Sequence, residues 1–286
     1  MAKLELTTLV DGLAFGEGPR WHDGRLWFSD IADHQVKALD ADGKVEVMVE
    51  LGDRQPSGLG WLPDGRLLVV SMLDHKLLRL DGAKLVEAAD LAEYCGGWAN
   101  DMVVDAAGRA FIGNLGFDLA AGPSEMRTTH IVRVDPDGSV RSVASDVASP
   151  NGMVITEDGR TLIAAESAAM RLTAFDIAAD GSLSGRRVFA QLEGKATADG
   201  ICIDAENAVW VASPTTNEFL RVHDGGRISE RISSGKLMAI ACMLGGEDRR
   251  TLYAITAQTH VFPDARRLRT GRIETVRVEV PGAGWP

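Results

Sequence analysis

Four oxygen-bearing side chains stand in similar short contexts along the chain: Gly-Glu17-Gly, Ala-Asn100-Asp, Pro-Asn151-Gly and Ala-Asp199-Gly. Carboxylates and carboxamides are hard oxygen donors, and two of these four carry negative charge. Brought to one point, they would repel unless a cation sat among them. His and Cys are missing from the set, which disfavours a typical zinc or copper site. The chemistry open to such a group is that of an oxygen-loving divalent ion with free positions for water or substrate. The ion would polarise a carbonyl and acidify a bound water, and a neighbouring carboxylate would serve as general base. Asp199 is the expected base and Glu17 the second choice, with Asn100 orienting the carbonyl or water. No GxSxG, HExxH or paired CxxC competes with this reading. The six histidines are scattered without i, i+4 pairing; His75, His130 and His260 fall near loop ends, where a rim and a surface role are both open. Cys242 has no basic neighbour in sequence and reads as an inert buried thiol.

A repeat supplies the scaffold. Six segments join a turn to an apolar strand: HDGRLWFSD (22–30), PDGRLLVVS (63–71), AAGRAFIGN (106–114), EDGRTLIAAE (157–166), AENAVWVAS (205–213) and EDRRTLYAIT (247–256). With Gly24, Gly65, Gly108, Gly159, Asn207 and Arg249 as equivalents, the intervals are 41, 43, 51, 48 and 42 residues. Asx-Gly hairpins at that period, each flanked by further strand-like runs, predict four strands per unit and an all-β, six-bladed β-propeller. A single domain over 1–286 is expected. The last unit lacks a fourth strand, so KLELTTLV (3–10) is expected to complete it and close the ring. Helical periodicity is nearly absent, with Leu85 to Tyr94 the one stretch able to hold a short helix.

In five of the six units, a polar residue stands seven or eight positions before the turn residue. The slot reads Glu17, Ser57, Asn100, Asn151 and Asp199, and Ala241 fills it in the sixth unit. Equivalent positions at the start of the innermost strands form a ring around a propeller's axis. Glycine follows in four of the six units and reads as clearance around a ligand. A ring that only binds water is the alternative, and for Ser57 a turn or channel-lining hydroxyl.

Composition narrows the partners. The 286 residues include 41 acidic and 30 basic ones, a net charge of −11, which speaks against nucleic acid. No apolar run reaches membrane-span length, and the N-terminal MAKLELTTLVDG carries no apolar signal core. With Cys95, Cys202 and Cys242 as the whole thiol set, a disulfide framework is not expected and the cytoplasm is the default compartment.

At these residues the chain resembles the gluconolactonase, regucalcin and luciferin-regenerating-enzyme family. The resemblance is carried by GEGPRW (16–21) with LWFSDI (26–31), AND…D…GR (99–109), SPNGMVITEDGRTL (149–162) with LTAFDI (172–177), and ADGICIDAENAVWVA (198–212). It implies one divalent cation held by Glu17, Asn151 and Asp199, with Asn100 beside it contacting substrate. Calcium comes first, with zinc, manganese, magnesium or ferrous iron as alternatives. It also implies hydrolysis of a small-molecule lactone, with esters or organophosphates as other substrates; a propeller that binds a cation without catalysis stays open. Sugar-lactone members typically carry an arginine two residues before the asparagine. Here that position is Trp98, and Met102 replaces the usual glycine two residues after it. An indole in place of a five-donor cation predicts a flatter or more apolar substrate, unless Trp98 only packs against the next blade. LGFDLAAGPSEMRTTH (115–130), with Phe117 as a substrate contact, and THVFPDARRLRTGR (259–272), with Phe262, are expected loops over the pocket.

Overall fold

The structure, a computed structural model, describes residues 4–40, 43–118 and 127–284. Six four-stranded antiparallel sheets surround one axis. The innermost strands of blades 1 to 6 are Gly16–His22, Pro56–Trp61, Ala99–Val104, Pro150–Ile155, Ile201–Ile203 and Met238–Gly245. Each touches the next in chain order, and the sixth returns to the first. Blade 6 is completed by Thr7–Leu13, which pairs antiparallel with Gly271–Arg277 through Thr7 and Thr275, Val10 and Ile273, and Leu13 and Gly271. The closing strand thus lies later than 3–10 by several residues. Among the described residues no helix is long and apolar enough to cross a membrane.

The turns follow the repeat. All six aligned turn residues have positive φ, from Gly24 at 74° to Asn207 at 57° and Arg249 at 55°. In blades 2 to 6 the turn residue donates its N–H to the carbonyl three residues back, as Gly65 does to Leu62 at 2.9 Å. Blade 1 instead turns on Asp23 and Gly24, both at positive φ, between the paired His22 and Arg25. That two-residue turn explains why Glu17 precedes its turn glycine by seven positions rather than eight.

Two local expectations are corrected. Lys84–Asp90 is a strand, the outer edge of blade 2 paired with Lys76–Asp81, rather than part of a helix over Leu85 to Tyr94. Its Ala and Glu content favours helix only weakly, and the ladder decides the outcome. The α-helix of the described residues lies instead in the basic loop, at Phe262–Leu268, with a proline in its first turn and Arg266 and Arg267 in its last.

The ring glycines also have a different job from ligand clearance. A Cβ on Gly58 would lie 2.5 Å from the Met102 nitrogen, and one on Gly152 would lie 2.6 Å from the Ile201 nitrogen. One on Gly200 would meet the Ala241 Cβ at 2.4 Å. Each glycine lets its inner strand abut the backbone of the next blade, which sets the bore of the channel. Gly58→Ala is therefore expected to destabilise the fold by about 1–3 kcal/mol through overpacking. Thermal unfolding measures it; an unchanged midpoint would show that the inner strands have room to spare.

Candidate active site

Five of the inner strands are irregular at their entry, with register breaks between Glu17 and Arg20, Pro56 and Leu59, Ala99 and Met102, Pro150 and Met153, and Ala239 and Ala241. The bulges in blades 1, 3 and 4 turn Glu17, Asn100 and Asn151 toward the axis instead of into the sheet faces, and Asp199 stands just ahead of the inner strand of blade 5. Glu17, Asn100, Asn151 and Asp199 accordingly line one cavity of about 390 Å³, together with Trp98 and Phe117. All six sequence-derived site residues thus meet in one place. Ser57 is buried and donates its hydroxyl to Asn100 Oδ1 at 3.2 Å, so it positions the carboxamide.

The charges in this cavity are out of balance. Burial pushes the Glu17 carboxyl well above its ordinary value, and the charges of Asp199 and Asp101 push it further, against the Gly18 N–H and Arg20. Asp199 keeps some surface open to the cavity, but the cavity is deep and desolvation still dominates. Burial raises this carboxyl to about 7 against a hydrogen bond from Asn151, and Asp101 adds to the rise. Asn151 Oδ1 is buried with no hydrogen-bond partner. A buried amide oxygen without a donor is costly, and a cation is one partner that would satisfy it and both carboxylates together. Among the described residues no three His, Cys, Asp or Glu side chains gather to hold an ion by themselves. A cation here would depend on the amide oxygen.

Beneath the ring, blade 3 carries Asp101 where four other blades have glycine. Its carboxylate accepts a 2.7 Å bond from Arg20 Nη2, a fully buried guanidinium from blade 1 that also donates to the Met102 carbonyl. This pair crosses behind Gly58 and brings a positive charge to the site. Cys242 points away from the cavity: its thiol faces Cys202 Sγ at 3.9 Å, and burial pushes its pKa well up, as an inert thiol requires.

Several residues that matter here carry no motif. The last residues of the second strands in blades 1, 3 and 4 are Asp30, Asn114 and Glu166, and each ties down the loop that leads to the cavity. Asp30 accepts the Phe15 N–H at 2.8 Å, and Asn114 accepts Gly116 N–H at 3.2 Å and Thr129 Oγ1 at 2.6 Å. Glu166 accepts the Ala148 N–H at 2.8 Å. Aligning this second slot around the repeat would have found them. Phe15, Ile31, Met72, Met238, Ile240 and His260 also line the cavity, whereas His75 and His130 do not. Trp98 stacks on Phe262 at 5.6 Å, so it packs and lines the cavity at once. Of the two expected pocket loops, 119–126 lies outside the described residues.

A larger cleft of about 760 Å³ opens between blades 4 and 5 at the turn end of the molecule. It contains no ring residue, and its Arg187 is paired with Asp224 at 2.8 Å. The four ring donors all lie in the smaller cavity.

Known proteins of similar sequence and shape share this arrangement of blades. The family described as SMP-30/Gluconolactonase/LRE-like region matches residues 15–258. The pentonolactonase XacC of Haloferax volcanii is 29% identical, over 89% of this chain and 86% of its own. The regucalcin of Gallus gallus is 31% identical, over 86% of this chain and 84% of its own. The structure of a calcium-binding protein, regucalcin, from Agrobacterium tumefaciens superposes with a TM-score of 0.81 at 23% identity, covering 100% of this chain and 99% of that one. The chain belongs to the SMP-30/gluconolactonase/LRE-like family.

Proposed function

We propose that the cavity is the active site of a divalent-cation-dependent hydrolase that opens a lactone. The observation that carries the reading is the unpartnered Asn151 Oδ1 beside two carboxylates with raised proton affinity. Glu17, Asn151 and Asp199 would hold the cation, with calcium first among the candidates. The bound ion supplies positive charge that polarises a carbonyl oxygen and acidifies a water.

The rest is done by side chains. Asp199 accepts the proton of the attacking water, a role open to a carboxylate that the cation keeps ionised. Asn100, held by Ser57, orients the carbonyl and donates to its oxygen as charge builds there. Water adds to the acyl carbon and the ring C–O bond breaks. The departing alkoxide takes back the proton that Asp199 accepted, leaving a hydroxy acid that ionises to its carboxylate. Its new carboxylate is repelled by Glu17 and Asp199, which favours release. The relative named pentonolactonase supports lactones as the substrate class. A small-molecule substrate and a reducing, cytoplasmic setting belong to the same reading. The latter is supported by the odd and sparse thiol set, Cys95, Cys202 and Cys242, which has no CxxC spacing.

Titrating acid release over a panel of aldonolactones and alkyl lactones, with and without chelator, tests this. Chelator-sensitive turnover of at least one lactone, restored by a divalent cation, is expected. No such turnover on any member would overturn the reading. Asn151→Ala should weaken cation binding by at least roughly tenfold, since a ligand of the set is lost; calorimetric titration of the chelated protein measures it.

A further inference from the structure

The walls above the ring differ sharply from the ring itself. Phe262, at the start of its helix, meets Phe15 at 5.7 Å and 55° on one side and Trp98 at 5.6 Å and 27° on the other. These three rings come from blade 1, blade 3 and the loop of blade 6, and with Phe117 they form one aromatic side of the cavity. The helix bearing Phe262 is fixed in place. Arg269, at its end, makes a two-nitrogen contact with Asp33 at 3.0 Å, and Asp33 also accepts Lys37 at 3.0 Å. Phe15 is held by its backbone bond to Asp30. The apolar wall is therefore pre-formed.

The hydroxyl protons on the remaining walls are already committed to the protein. Ser149 donates its hydroxyl to the Leu115 carbonyl at 2.6 Å, and Ser167 donates to the Ala198 carbonyl at 2.5 Å. Thr215 donates to the Lys195 carbonyl at 2.6 Å and lies 3.0 Å from the Thr197 hydroxyl. No lysine or arginine is among the described lining residues. Above the ring, the His260 imidazole and the Trp98 indole are the side-chain N–H groups left to donate to a ligand, while the serine and threonine oxygens keep only lone pairs. A ligand with several hydroxyls would give up water at each one and regain few hydrogen bonds. A charged ligand would find no cation on the walls, and an anionic one would face Glu17 and Asp199.

We infer that the substrate is an uncharged lactone whose ring carries an alkyl or aryl group, held with that group against Phe15, Trp98 and Phe262 and with the ester carbonyl at the polar ring. This rests on the hydrolase reading for the reaction, but the recognition can be measured without it. The experiment compares a pentyl-substituted δ-lactone, an aryl-fused δ-lactone and a tetrahydroxylated δ-lactone as substrates of the cation-loaded protein. The non-hydrolysable lactams of the pentyl and tetrahydroxylated rings are titrated calorimetrically in parallel. Both apolar lactones should exceed the polyol in kcat/KM by roughly a hundredfold or more, and the pentyl lactam should bind tighter by a similar factor.

Phe262→Ala should weaken pentyl-lactam binding by about tenfold and leave the polyol unaffected. Trp98→Leu, which keeps an apolar wall and leaves the helix untouched, should reduce selectivity for the aryl-fused lactone more than for the pentyl one. Equal or tighter binding of the polyhydroxylated lactam, or its lactone being the better substrate, overturns the inference while leaving lactone hydrolysis standing. Preferential binding of the pentyl lactam without turnover of any lactone overturns the hydrolase reading and keeps the apolar recognition. Failure of both lactams to bind, with no turnover, overturns both.

Discussion

Asp199→Ala is expected to lower kcat/KM on the best lactone by roughly a thousandfold, the middle of the range for loss of a general base. The same substitution weakens cation binding, because one of two carboxylates leaves the donor set. Its effect on the metal-free fold runs the other way. Asp199 is the foremost charge pushing Glu17 upward, so removing it relieves a buried like-charge contact. In the presence of chelator, the variant is expected to unfold at or above the wild-type temperature. Lost activity with retained or gained stability is a signature that a merely structural residue would not produce. Full activity together with unchanged cation affinity in Asp199→Ala would remove this residue from the mechanism. Asp199→Asn keeps the shape of the side chain and should lose activity to a similar degree, which separates the charge from the volume.

The second large effect is on stability. A carboxyl whose folded pKa lies above its unfolded value binds its proton more tightly in the folded protein. Its contribution is then complete below the unfolded value and is lost as pH rises through the folded one. For Asp199 that window runs from 3.8 to about 7, and Glu17 shifts in the same direction. At ~1.4 kcal/mol per pH unit the span corresponds to at most about 4 kcal/mol, and water entering the cavity reduces this. The chelated protein is therefore expected to lose about 2–4 kcal/mol between pH 5 and pH 8, or roughly 5–10 °C in Tm. Carboxyls held low, such as Asp33 with its Lys37 and Arg269 partners, change stability in the opposite sense and only at more acid pH, below their ordinary value of 3.8. The decisive quantity is thus the gap between cation-loaded and chelated protein, measured across pH. That gap should widen as pH rises, because the cation holds both carboxylates ionised, and it should shrink in Asp199→Ala. A gap independent of pH would mean that these two groups do not face a cation.

Much of the scaffold was legible because it is written locally. A hairpin turn needs a residue at positive φ, and Asp-Gly or Asn supplies it at each recurrence. Counting those turns counted the blades, even where Arg249 takes the position without being glycine or asparagine. The slot residues Glu17, Asn100, Asn151 and Asp199 were readable for the same reason, since they keep a near-constant distance from the turn. The helix at Phe262–Leu268 and the outer strand at Lys84–Asp90 were misread because neither is set by local preference alone. The strand forms by pairing with its neighbour, and the helix is held by Arg269 on Asp33, far away in sequence in the adjoining blade 1.

By itself, then, the sequence determined the number of blades, the ring of oxygen donors and the identity of the residues in it. Tertiary structure alone decided what those residues meet. It turned the ring glycines into blade contacts, left Asn151 Oδ1 without a donor, and spent the hydroxyls of Ser149, Ser167 and Thr215 on carbonyls. It also assembled Phe15, Trp98 and Phe262 from three distant parts of the chain into one wall. The physical reason is range. Turn conformation and strand alternation depend on neighbours a few residues away, whereas burial, pairing and desolvation depend on contacts that exist only after the ring has closed.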